Sequence, residues 1–128
     1  MDENERRRSV RIPCENLIRY SVINENNEIT NNFGYVHCKN ISLIGMLFTT
    51  FEPLDVGTLL KIVFHIDLSE NEFDDIHFLA TVVRCDPKNA DTFDIAVSIT
   101  SLIEEKKKAV FLRWLANKDD EYNFGNSF

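Results

Sequence analysis

Residues 92–100, TFDIAVSIT, constrain the fold more than any other stretch. Phe93, Ile95, Val97 and Ile99 alternate with Asp94, Ala96, Ser98 and Thr100. A period of two puts the first set on one face of a strand and the second on the other. Such a strand needs neighbours on both edges and a core on one face. At Ser101 the period changes. Ile103, Val110, Phe111 and Trp114 fall on one side of a helix. Ser101 and Glu104 have the spacing of a capping box, so the helix is expected from 102 to about 116.

The sequence before residue 92 supplies the neighbouring strands. Residues 17–23 (LIRYSVI), 35–42 (YVHCKNIS) and 46–51 (MLFTTF) each read as β. In residues 59–67, Leu60, Ile62, Phe64 and Ile66 point one way, and Lys61, His65 and Asp67 the other. Residues 76–85 (IHFLATVVRC) carry apolar groups on both faces. The Asn-rich stretch 24–34 and the acidic stretch 68–75 read as loops, and Pro53 with Gly57 marks a turn. About six strands and then one amphipathic helix predict a mainly β fold. The expectation is a small antiparallel barrel of about six strands, with a C-terminal α-helix over one opening or side. Barrel closure leaves no exposed strand edges. The expected organisation is a flexible arginine-rich arm at 1–13, one domain at 14–116 and a polar tail at 117–128.

Several function classes fall away. The chain of 128 residues suits one domain able to bury a core without disulfides or metals. No apolar run approaches the length of a membrane span, so no membrane insertion is expected. The N-terminal residues lack the apolar region of a signal peptide, and the expected compartment is the cytoplasm. Cys14, Cys38 and Cys85 are odd in number and have no short spacing. His37, His65 and His77 are equally scattered. Both sets read as structural or surface residues rather than as a disulfide framework or a metal site. A formal charge of −7 argues against a nucleic-acid polymer as partner.

That charge makes RRRSVRIP, residues 6–13, conspicuous. Arg6, Arg7, Arg8 and Arg11 fill four of six positions in a chain with only 14 basic residues. Like charges repel and the segment has little apolar surface to bury, so an ordered arm needs a partner. A second unusual stretch is NISLIGMLF, residues 40–48. Asn40 and Ser42, two apart in a strand, would share one face, with Ile41 pointing into the core. Gly45 follows three residues later, and leaves room for a turn or for a ligand to approach.

Together these segments resemble the paired signature of PilZ domains. That signature is Arg-x-x-x-Arg, here Arg7 to Arg11, then (Asp/Asn)-x-Ser-x-x-Gly, here Asn40 to Gly45. Residues 54–66 (LDVGTLLKIVFHI) also resemble the family's turn and strand after the second motif, and the likeness covers roughly residues 5 to 115. The resemblance implies a stand-alone bacterial receptor for cyclic di-GMP, without catalysis or a cofactor. It implies ligand contacts from Arg7, Arg11, Asn40, Ser42 and Gly45. Arg6 and Arg8 extend the cluster. Arg6 stands where relatives that bind two intercalated nucleotides carry an extra arginine. Arg84 stands where relatives carry a residue that packs against guanine. Arginine suits such a ligand, because its guanidinium forks onto phosphate, pairs with guanine O6 and N7, or stacks on the base. The family pattern more often has Asp at position 40 and Gly at position 96.

Rival readings are an enzyme, a PilZ-like protein-interaction adaptor without nucleotide binding, and a single-stranded nucleic-acid barrel. No nucleophile–base pair or glycine-rich phosphate loop stands in the sequence. The nucleic-acid barrel would need basic and aromatic residues along one face, whereas the arginines here cluster in the arm. A receptor without an output domain needs a downstream effector protein, which the sequence does not identify.

Overall fold

The computed structural model describes residues 11–126. Its strands are β1 (Ile12–Pro13), β2 (Leu17–Ile23), β3 (Ile29–Ile41), β4 (Gly45–Thr50), β5 (Leu59–Ser69), β6 (Glu72–Pro87) and β7 (Phe93–Leu102). A 3₁₀ turn (Glu105–Lys107) leads into the helix α1 (Lys108–Asn126).

Every pairing is antiparallel, and the pairings close a ring. β2 pairs with β3, β3 with β4, β4 with β7, β7 with β6, β6 with β5, and β5 with β2. The six-stranded barrel expected from the alternation is therefore formed. β1 adds no seventh stave. Ile12 pairs with Ile41 and Leu17 with His37, so β1 runs in line with β2 along the same edge of β3. Ile12 is buried. The last residues of the expected arm are thus part of the barrel wall, because Ile12 has a core position to fill.

The alternating residues fill the interior. Leu60, Ile62, Phe64 and Ile66 are buried along β5, and Ile95 and Val97 along β7. α1 covers one end through Phe111, Trp114 and Leu115, all buried. The Trp114 ring meets Phe64 edge-on at 5.2 Å, and Phe111 meets Phe78 at 5.0 Å. Burial of such side chains contributes roughly 1.5–3 kcal/mol each. α1 also packs against β1, which brings the helix close to the strand that follows the arginines.

Four boundaries differ from the sequence expectation. Ser101 is paired with Leu79 inside β7, so it caps nothing, and the helical segment opens without a side-chain cap. The helix runs to Asn126 rather than 116. The stretch 24–34 is a loop only to Glu28, where Asn24 Oδ1 accepts from the amides of Asn26 and Glu28. Beyond it, pairing with β2 holds the polar residues in β3. The acidic stretch 68–75 is mostly hairpin, because β5 and β6 stay paired out to Ser69 and Glu72.

Candidate functional site

β3 and β4 meet in a tight hairpin, which builds the site. Ile41 at the end of β3 is fully buried, so Asn40 beside it faces outward. β3 stops there, and Ser42 lies in the turn rather than on the outer face. Its amide donates to the Gly45 carbonyl at 2.9 Å. Its hydroxyl accepts from the amides of Ile44 and Gly45, each at 3.2 Å. At 2 % exposure the side chain is spent on the turn. Ser42 therefore shapes the surface that Asn40 and Gly45 present.

Arg11 lies on that surface. Its Nη1 donates to Asn40 Oδ1 at 3.1 Å. A Cβ placed on Gly45 would fall 3.1 Å from Arg11 Nη2 and 2.8 Å from the Val97 carbonyl oxygen. The missing side chain at Gly45 is what lets a flat guanidinium rest against the hairpin. Asn40 offers a neutral amide where a carboxylate would neutralise the arginine. Among the described residues Arg11 forms no ion pair, and Asn40 takes one of its five donors.

Arg84 is on the same outer face but apart. Strand register runs Asn40–Leu47–Ala96–Arg84 across β3, β4, β7 and β6. Three strand spacings separate its ends, about 14 Å. Arg84 is exposed, and its Nε is 2.7 Å from Asp86 Oδ2. The row between the two arginines is floored by Leu47 and by the short side chain of Ala96. Arg6, Arg7 and Arg8 lie outside the described residues.

On the other side of Asn40 the barrel wall splits. β3 and β4 pair only from Ile41–Met46 to Cys38–Phe48. Beyond that they part around a groove of about 1040 Å³, lined among others by Tyr35, His37, Lys39, Phe51 and Lys88. Lys39 is the neighbour of Asn40 and lies 3.5 Å from Asp94. Nothing in the sequence had singled out Lys39 or Lys88. Their link to the site depends on where two paired strands separate, which no local pattern records. Among the described residues no group of three or more His, Cys, Asp or Glu could hold a metal ion. No described helix is long and apolar enough to cross a membrane.

Solved structures with this fold include the Bacillus subtilis inhibitor of motility MotI/DgrA, at TM-score 0.66 and 14% identity over 88% of this chain and 49% of that one. MrkH of K. pneumoniae matches at TM-score 0.60 and 18% identity over 92% of this chain and 51% of that one. A further MrkH structure matches at TM-score 0.51 and 17% identity over 89% of this chain and 49% of that one; there MrkH is described as a c-di-GMP-dependent transcription regulatory factor. The chain thus spans about half the length of these proteins. No curated protein matches it. The family model for the PilZ domain matches residues 5–117, nearly the whole length, and the chain belongs to the PilZ family.

Proposed function

We propose that the chain binds cyclic di-GMP on the face built by Arg11, Asn40 and Gly45, with Arg7 and the rest of the arginine segment closing over the ligand. The observation that carries this reading is the Arg11 guanidinium, seated over Gly45 and held by a neutral amide. Among the described residues it meets no carboxylate, and it stands at an exposed place. A phosphate diester supplies the matching acceptors in the fork geometry that arginine favours. Ser42 serves indirectly, by fixing the turn. Lys39 adds a second cation beside Asn40.

The same face is proposed to take two mutually intercalated nucleotides per chain. The first sits between Arg11 and Arg7. The second lies along the Leu47–Ala96 row with a guanine reaching Arg84, while Arg6 and Arg8 supply further cations. Ligand then orders residues 5–11 against the barrel and changes the surface that a downstream effector protein reads. The domain works as a cytoplasmic receptor and catalyses nothing.

Calorimetric titration with cyclic di-GMP, with GTP and cyclic GMP as controls, tests the reading. Saturable binding of two equivalents, with neither control bound, is the expected result. Failure to bind would leave an adaptor that acts through protein contacts alone. Hydrogen exchange at residues 5–11 tests the ordering step, and protection should be gained only with ligand.

A further inference from the structure

Cys14 and Cys38 are 24 positions apart in the sequence, and the fold brings them together. Cys14 follows β1 directly, and its amide donates to the Lys39 carbonyl at 3.1 Å. The Cys38 amide donates to the Asn16 carbonyl at 2.9 Å. These two bonds bracket the cysteines on adjacent strand segments. Cys14 packs against the core cluster that includes Cys38, and the two thiols lie close enough to act on each other. Cys38 is buried, Cys14 is half-buried, and both line the groove where β3 and β4 part. The Cys38 thiol also donates to the Asn40 carbonyl at 3.2 Å, across the irregularity in β3 that aims the Asn40 side chain outward. The pair therefore lies directly beneath the Arg11–Asn40 face.

We propose that Cys14 and Cys38 are an oxidisable pair, in which a peroxide entering by the groove closes a disulfide and detunes the Arg11–Asn40 face. The more accessible Cys14 reacts first. Its sulfur takes one peroxide oxygen to become a sulfenic acid, and the other oxygen leaves as water. The Cys38 sulfur then attacks the Cys14 sulfur. The hydroxyl leaves with the Cys38 proton as a second water, and the S–S bond forms. Two thiols lose two electrons to one O–O bond, so the step balances. Cys38 is buried and Cys14 is only half-buried, so a peroxide in the groove meets the Cys14 sulfur before that of Cys38. Disulfide formation takes the Sγ–H donor from the Asn40 carbonyl and draws Cys38 toward Cys14. Weaker nucleotide binding follows, a consequence that rests on the function proposed above.

Cys85 on β6 supplies an internal control. The protein is treated with hydrogen peroxide, and free thiols and intact mass are measured, followed by titration with cyclic di-GMP. The expected result is a monomer that has lost two hydrogen atoms, with Cys85 still free and affinity reduced severalfold. Dithiothreitol should restore the affinity. Cys14→Ser and Cys38→Ser should each abolish the disulfide and make affinity indifferent to peroxide, whereas Cys85→Ser should behave as wild type. Three titratable thiols after treatment, or dimers cross-linked through Cys85, would overturn the pairing. A disulfide that leaves affinity unchanged would overturn the link to Asn40. Failure of the reduced protein to bind nucleotide would instead sink the functional reading, while the mass shift still reports the pair.

Discussion

Two hairpins of the barrel carry most of its conspicuous polar residues, and they use them in opposite ways. The β5–β6 hairpin looks the more charged, with Asp67, Glu70, Glu72, Asp74 and Asp75 near its tip. Its charges are largely answered from within. Lys107 Nζ lies 2.5 Å from Asp74 and 3.0 Å from the Asp75 carbonyl, His65 hydrogen-bonds Asp75, and Lys118 approaches Asp67. The β3–β4 hairpin has a tight, nearly neutral turn. It holds one arginine against an amide, with no ion pair to that charge among the described residues. Charge density alone thus does not mark a site. The β3–β4 hairpin differs in holding a cation in place with no ion pair among the described residues, and the proposed site rests on that difference.

The sharpest way to break the contrast is Gly45→Ala. The new methyl would fall 2.8 Å from a backbone oxygen of β7, which has no room to give, and 3.1 Å from the Arg11 guanidinium. Overpacking of this kind costs about 1–3 kcal/mol. The variant should melt lower and lose most of its cyclic di-GMP binding, as seen by thermal denaturation and calorimetry. Wild-type binding by Gly45→Ala would show that the guanidinium does not need this seat. Arg11→Ala comes next. Charge-assisted bonds to a ligand contribute about 1.5–3 kcal/mol, so affinity should fall roughly 10- to 100-fold. Arg11 is exposed, so the melting temperature should stay put. A drop in stability equal to the drop in binding would recast Arg11 as a structural residue.

Ser42→Ala separates shape from contact. The hydroxyl makes three bonds inside the turn, two accepted and one donated, and is buried. Its loss should cost about 1 kcal/mol of stability, with a smaller loss of affinity that follows from a looser hairpin. Affinity lost with stability intact would mean that Ser42 touches the ligand after all.

How far the sequence anticipated these hairpins depends on what each feature rests on. Alternation within one strand is local, and the inward rows of β5 and β7 were legible residue by residue. The motif at Asn40–Gly45 was legible too, although the period-two argument put Ser42 on the wrong side of the strand end. The strand ends and the 101–104 segment were set by partners distant in sequence. Leu79 draws Ser101 into β7, and β2 draws the Asn-rich residues into β3. Capping and loop propensities are too small to resist a ladder of backbone bonds. The meeting of Cys14 with Cys38 was invisible for the same reason, since it follows from β1 lying in line with β2.

The smallest expected effect lies on the β5–β6 hairpin, and it tests whether that hairpin is purely structural. The Lys107 ammonium beside Asp74 holds the Asp74 carboxyl below its ordinary value of 3.8, and Asp74 in turn raises Lys107 above 10.5. A depressed carboxyl pKa contributes stability above the unfolded value and loses it as pH falls through the folded one. A raised ammonium pKa contributes below the unfolded value and loses it as pH rises through the folded one. The pair therefore stabilises the fold across the whole neutral range. Both side chains are about a quarter exposed, so the contribution is at most about 1 kcal/mol. Asp74→Asn keeps the shape and an acceptor for Lys107 while it removes the charge. In urea denaturation it should be slightly less stable than wild type at pH 7, and the gap should close well below pH 3.8, where wild-type Asp74 is also neutral. Cyclic di-GMP affinity should not change. A loss of affinity in Asp74→Asn would mean that the two hairpins are coupled through the barrel, and that the acidic tip takes part in binding from a distance.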